Sequence, residues 1–168
     1  MKNSLKIAAG VVAAIAIASG AFFALNYNNS SGTLKVYVHD LPATNVSSVY
    51  ITFSEISIHG NQSGWKNYSI GHETVNILGT ASSSSTLLKS VTLNAEKYTM
   101  IRLYIQTVNV TIGGKNITFN MSSPYAFINH PFDVKSNSST TINFDFHLNK
   151  DLNLNSKVFT PNIGYSIS

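Results

Sequence analysis

Nine asparagines of this chain stand in the pattern N-x-[ST]: Asn28, Asn29, Asn45, Asn61, Asn67, Asn109, Asn116, Asn120 and Asn137. An asparagine with a hydroxyl residue two positions on is the acceptor that N-glycosylation modifies. With about a fifth of residues Ser or Thr, the nineteen asparagines would form roughly four such sites by chance under that rule. Nine is about double, and it points to a glycosylated exterior.

Other chemistry is thinner. The five histidines (His39, His59, His72, His130 and His147) show no H-x-x-x-H spacing. A metal site needs three or four converging ligands. Only His39 with Asp40, and Glu55 with His59, are spaced so that strands could gather them, and the histidines are read as surface residues. No cysteine is present, which excludes disulfides, thiol catalysis and Cys-based metal sites together. Neither G-x-S-x-G nor a glycine-rich phosphate loop occurs. Among the acids, Glu55, Glu73 and Asp145 are the candidates for a carboxylate pair, with Asp145 on the solvent face of its strand. We therefore expect no enzyme, no catalytic residue, no metal and no cofactor. Arg102, the single arginine, lies among apolar neighbours. It is read either as the partner of Glu55 in a buried ion pair across adjacent strands or as an outward-facing side chain. Trp65 and the tyrosines are candidate stacking platforms for sugars, although a lone Trp is more often core.

Strands must carry these residues. Leu34, Val36 and Val38 alternate with Lys35, Tyr37 and His39, and Ile142, Phe144, Phe146 and Leu148 alternate with polar residues. Val49, Ile51 and Phe53 share one parity and Ile56 and Ile58 the other, so a β-bulge is expected near Ser54-Glu55. Ile101, Leu103 and Ile105 against Val108, Val110 and Ile112 predict a second bulge or bend. Gly113-Gly114 predicts a tight hairpin. Trp65 to Ile70 reads as a short strand, Val75 to Leu78 as a brief apolar segment, and Thr80 to Thr86 as a loop. The stretch between Pro124 and Pro131 reads as irregular, and Phe159 to Ile167, broken by Pro161, as a final edge strand. The expected fold is all-β: a single sandwich of seven to nine strands, Ig-like or prealbumin-like with Greek-key connections, preceded by an N-terminal hydrophobic helix.

That helix is the run Ile7 to Leu25, nineteen residues without a charge after Lys2 and Lys6. Its length lies between a signal-peptide core and a membrane span. Residues 1–25 are therefore read as a signal peptide or an N-terminal anchor, 26–32 as a flexible polar linker and 33–168 as the sandwich domain. Positive charge before the run and none until Lys35 places the N-terminus inside and the domain outside. Charged residues make up 11% of the chain, and Asn, Ser and Thr take their place. Nine basic residues against seven acids remain once Lys2 and Lys6 are set aside, and they are scattered. Nucleic-acid binding needs a local cluster and is not expected. So few carboxylates change little in charge as pH falls, which suits an acidic exterior.

The order of segments resembles a known family. The segments are Gly32-Thr33-Leu34-Lys35-Val36 opening a strand that ends at Asp40; Ser54-Glu55-Ile56-Ser57-Ile58-His59 followed by Trp65; and Val75-Asn76-Ile77-Leu78. Then come Tyr98-Thr99-Met100-Ile101-Arg102-Leu103, Ile142-Asn143-Phe144-Asp145-Phe146 and Pro161-Asn162-Ile163. Together they resemble an extracytoplasmic domain family of prokaryotes, number 4382 among the domains of unknown function, over Gly32 to about Ile163. The resemblance implies a β-sandwich of secreted or lipid-proximal proteins and supplies no catalytic residue. The chain departs from the family pattern at Glu96-Lys97, where Gly usually precedes the Tyr-Thr pair, and at Asn76, where Asp is usual.

Three functions follow as expectations. The first is a cell-surface or secreted glycoprotein with a structural or adhesive role, anchored in the membrane if the leader is retained. The second is a filament subunit, a pilus or thread. Cleavage after Gly20 would leave Phe23, Leu25 and Tyr27 on one face of a strand able to complete a neighbour's sheet, an arrangement similar to the donor strands of glycosylated surface threads in thermoacidophilic archaea. The third is a module that binds carbohydrate or another surface polymer, with a surface polysaccharide or S-layer as partner.

Overall fold

The computed structural model describes residues 30–40, 45–78 and 85–168. The leader, the candidate donor-strand residues Phe23, Leu25 and Tyr27, and the sequons at Asn28 and Asn29 lie outside the described residues. So do most of the linker and of the loop after Leu78. Among the described residues, no helix is long and apolar enough to cross a membrane.

The alternating segments become strands because one face of each can be buried. In chain order these are β1 (Ser31–Asp40), β2 (Ser48–Gly60), β3 (Gly64–Asn76), β4 (Thr86–Asn94), β5 (Lys97–Ile112) and β6 (Lys115–Met121). After them come β7 (Tyr125–Ile128), β8 (Phe132–Asp133), β9 (Ser139–Phe146), a one-turn helix α1 (Leu148–Asp151), β10 (Leu152–Asn153), β11 (Val158–Phe159) and β12 (Ile163–Ile167). They form two sheets, the smaller in the order β12-β9-β1-β4 and the larger in the order β10-β11-β6-β5-β2-β3, with β7 and β8 also on β5. The larger sheet is organised by β5. Its one edge pairs with β2, and its other edge pairs in succession with β6, β7 and β8.

Twelve strands among the described residues exceed the seven to nine expected. Three of them, β8, β10 and β11, have two residues each, too few to show any period. The stretch between the two prolines is not irregular, since β7 occupies it. The expected short strand at Trp65 is instead the thirteen-residue β3, an edge strand exposed along most of its length and therefore without apolar alternation. The expected final strand is two. Val158-Phe159 joins the larger sheet and Ile163–Ile167 the smaller, with Pro161 where the chain crosses between them. The domain also starts earlier than the expected residue 33, because Ser31 and Gly32 pair with Asn94 and Leu93. A side chain at Gly32 would collide with the Lys135 carbonyl and meet Val134 Cγ1 at 2.8 Å, so this close approach requires glycine.

Both expected bulges are present. The β2–β5 register shifts around Phe53 to Glu55 and around Thr52 and Phe53, where Gln106 is the extra residue opposite. These shifts let Ile51 and Phe53 point inward with Ile56 and Ile58, and Ile105 with Val108. Gly113 and Gly114 both have positive φ, 55° and 77°, as the two-residue hairpin from Ile112 to Lys115 demands.

The core lies between the sheets. Leu34, Val36, Ile142, Phe144 and Phe146 come from the smaller sheet, and Ile51, Phe53, Ile56, Leu103 and Phe159 from the larger, all without measurable exposure. Each such side chain contributes about 1.5–3 kcal/mol by leaving water. Phe146 joins the layers, its ring 6.1 Å from that of Phe53 and 6.2 Å from that of Phe159.

Asn76 and Glu96 both have structural uses. Asn76 Oδ1 accepts from the Val49 and Leu78 amides at 3.1 and 3.3 Å, work for one oxygen that either Asp or Asn supplies. Glu96 Oε2 accepts from the Gln62 amide at 2.7 Å and ties the β2–β3 turn to the start of β5. Burial pushes its carboxyl up, and hydrogen bonds from Ser63 and from the Gln62 and Ser63 amides outweigh that, leaving its pKa below the ordinary value.

Candidate functional site

Ile56, Ile58, Ile101 and Leu103 point into the core, so their neighbours on β2 and β5 must face outward. Register then aligns three rows across the outer face of the larger sheet. Trp65, His59 and Met100 form one, Asn67, Ser57, Arg102 and Phe127 the next, and Ser69, Glu55, Tyr104 and Tyr125 the third. The strand alternation alone delivers five aromatic or cationic side chains to one surface: Trp65, Arg102, Tyr104, Tyr125 and Phe127.

The Arg102 guanidinium lies over the Trp65 ring, 4.2 Å from its centroid, and 5.2 Å from the centroid of Tyr125. Tyr125 in turn lies 6.2 Å from Tyr104 and 6.3 Å from Phe127. Trp65 is also met edge-on by His59 at 5.0 Å, and His59 Nδ1 is 2.8 Å from Thr99 Oγ1. The ridge stays accessible: Trp65 is 44% exposed, Tyr104 43% and Phe127 53%. A cation between ring faces gains from their quadrupoles, and the rings gain a fixed orientation.

The expected buried pair of Glu55 and Arg102 does not form. Neither residue is buried, and register sets Glu55 opposite Tyr104 and Arg102 opposite Ser57, one row apart. Glu55 Oε1 accepts from Ser57 Oγ at 3.1 Å, and Arg102 takes the ring faces. Trp65 leaves the core for the same reason that β3 lacks a period: an edge strand has no second layer over it. Phe127, within the stretch expected to be irregular, is the residue sequence reasoning missed, because Tyr-Ala-Phe-Ile has no polar position to show an alternation; Tyr125 is one of the tyrosines expected as stacking platforms.

Beyond the second bulge the same outer face changes character. Thr52 meets Thr74 at 2.9 Å and Thr107 at 3.0 Å, Ser48 donates to Thr111 at 2.7 Å, and Thr118 donates to Asn109 Oδ1 at 2.7 Å. Asn109 is thus half-buried with its amide engaged. Asn45, Asn61, Asn67, Asn116, Asn120 and Asn137 are exposed. Asn45 and Asn137 adopt left-handed backbone, φ 67° and 54°, which asparagine tolerates.

The outer face of the smaller sheet carries a second cluster that sequence reading missed. Asp145 Oδ1 lies 3.5 Å from His39 Nδ1, its neighbour in the parallel β1–β9 pair, and Oδ2 lies 3.6 Å from His147 Nε2. His147 Nδ1 contacts the Asn162 carbonyl at 3.1 Å. Among the described residues, no group of three or more His, Asp or Glu is placed to hold a metal ion. A third feature is buried. Asp151 Oδ1 accepts from the Asn162 amide at 3.0 Å and Oδ2 from the His147 amide at 3.1 Å, while Asp40 Oδ1 accepts from Leu148 at 3.2 Å. These carboxylates hold the closing segment of the chain to the sandwich.

The family model for the domain of unknown function (DUF4382) matches residues 31–167. The chain belongs to that family. The DUF4382 match begins where β1 begins and ends within the last residues of β12, so the family unit and the sandwich coincide. No curated protein matches the DUF4382 chain. Among solved structures, it is similar to one from Bacteroides ovatus ATCC 8483, described as a "putative cell adhesion protein", at 7% identity and a TM-score of 0.29. That similarity covers 83% of this chain and 44% of the other, so the DUF4382 chain spans under half of that protein's length.

Proposed function

We propose that this chain is an extracytoplasmic β-sandwich glycoprotein of the cell surface, secreted or membrane-anchored, with an adhesive role and no catalytic activity. The observation that carries the reading is the ridge of exposed Trp65, Tyr104 and Phe127, with half-buried Tyr125 packed against the last two, on the outer face of the larger sheet. Exposed aromatic rings presented together on one sheet face are suited to packing against the apolar faces of sugar rings. Six of the seven described sequons stand on exposed asparagines, which supports glycosylation on the same exterior. The return of β9 beside β1, parallel to it and antiparallel to β12, supports a Greek-key sandwich.

The test is binding of the full chain to isolated cell-surface polysaccharide, with Trp65→Ala as the variant. Loss of about tenfold or more in affinity is expected, comparable to removing one stacked ring. No binding by the parent chain, or equal binding by the variant, would reject the adhesive reading.

A second reading is a filament subunit. It is favoured by β3, thirteen residues at the edge of the larger sheet without a proline to block pairing. Electron microscopy of the purified protein separates the two, since monomers alone would dismiss polymerisation.

A further inference from the structure

We propose that the ridge around Arg102 binds an acidic polysaccharide, with Arg102 receiving the carboxylate or sulfate and the aromatic rings receiving the sugar faces. This rests on the adhesive reading above and names its ligand class. Arg102 is the protein's one arginine, and it is set on the exposed ridge. Its charge is unneutralised: the ion pairs among the described residues join His39 and His147 to Asp145, on the other sheet. Its Nε is buried without a hydrogen-bond partner. A guanidinium has five N–H donors in a planar fork. Trp65 and Tyr125 lie against the guanidinium and provide no acceptor, and Nε is buried, so the two terminal Nη groups are the donors that a ligand would meet.

A neutral sugar would occupy the rings and leave that charge without a partner. An anionic oxygen pair satisfies the fork and shares the site with the stacked rings, because the fork matches a carboxylate or sulfate in two parallel bonds. Glu55, the carboxylate one row away, is engaged with Ser57. Trp65 (44% exposed) on β3, Tyr104 two residues along β5 and Phe127 opposite on β7 surround the guanidinium, so the rings extend across the strands on both sides of it.

The experiment compares polymers that differ only in charge: polygalacturonate with its methyl ester, and dextran sulfate with dextran. The full chain and its Arg102→Gln, Arg102→Lys, Trp65→Ala and Asn67→Gln variants are tested, each shown folded by circular dichroism. The parent chain is expected to bind at least one acidic member about tenfold or more tightly than its neutral partner, with affinity falling as salt rises. The carboxylate and sulfate arms show which anion is preferred. Arg102→Gln should abolish the preference, Arg102→Lys should restore part of it, and Trp65→Ala should weaken both members of a pair. Equal binding to charged and neutral members, or a preference that survives Arg102→Gln, overturns the proposal. If Trp65→Ala still weakens neutral binding, the adhesive reading stands alone. No binding to any polymer rejects both. Binding that appears only in Asn67→Gln would show the ridge to be covered by the protein's own glycan, since Asn67 and Trp65 share a face of β3, and would also overturn it.

Discussion

Replacing Asp151 with alanine is expected to destabilise the domain by about 3–5 kcal/mol, the range for removing one member of a buried charged hydrogen-bond network. Asp151 is 1% exposed and works at four points. Its carboxylate takes the Asn162 and His147 amides, its carbonyl takes the Thr160 amide at 2.8 Å, and its own amide donates to the His147 carbonyl at 2.9 Å. Alanine keeps the two backbone bonds and strands the two amides that the side chain satisfied. The denaturant midpoint of the purified domain reads the loss directly, and a change below about 1 kcal/mol would reject the role.

The same residue sets a pH dependence. Burial pushes the Asp151 carboxyl up to about 7, with the charge of Asp40 adding to it and the Asn162 and His147 amides and the His147 charge opposing it. In the unfolded chain its pKa is about 3.9. Between those values the folded protein holds a proton that the unfolded chain has released, so stability falls as pH rises through the window. The thermal midpoint should therefore be higher near pH 5 than near pH 8, by on the order of 5 °C. Asp151→Asn keeps one acceptor oxygen. It should cost less than alanine and flatten the profile. Glu96 has the opposite sign, since its lowered pKa contributes stability that is lost only as pH falls into the carboxylate range. Maximum stability on the acid side of neutrality is therefore expected, in line with a chain poor in carboxylates. Unfolding that already sets in near pH 4 would rule that out.

The second large effect is expected from Phe146→Ala, a loss of about 3–5 kcal/mol. The ring is fully buried on β9 and touches Phe53 of β2 and Phe159 of β11, so its removal opens a void between the layers. Phe53 and Phe159 belong to strands held by separate partners, which limits how far they can close that void. Phe146→Leu, which retains most of the volume, should cost well under half as much. Similar losses for both variants would show that the site relaxes and that Phe146 does not bridge the sheets.

Much of the fold was legible from parity. Leu34, Val36 and Val38, or Ile142, Phe144 and Phe146, declare a buried face because a central strand has a layer above it. The changes of parity at Ser54-Glu55 and around Gln106 declared the bulges, and two adjacent glycines declared the hairpin. Parity is silent for β3, which has no covering layer, and for β8, β10 and β11, which are too short to alternate. It was also silent for Tyr125 to Ile128, where two prolines suggested a loop and the free edge of β5 recruited a strand.

Besides the family, which the order of segments from Gly32 to Ile163 carries, the residue pattern set the all-β class, the inward faces of the central strands, the bulges and the polar, sequon-rich surface. Each is a local property of residues two to ten positions apart. Tertiary structure alone decided that Arg102 rests on Trp65 instead of pairing with Glu55. It also decided that Tyr104, Tyr125 and Phe127 join them, that His39 and His147 flank Asp145, and that Asp40 and Asp151 are buried at the closing segment. Those outcomes depend on strand order and register, which bring together residues up to 111 positions apart, Asp40 and Asp151. No local period encodes which strand will lie next to which, because that is settled by the common burial of one core.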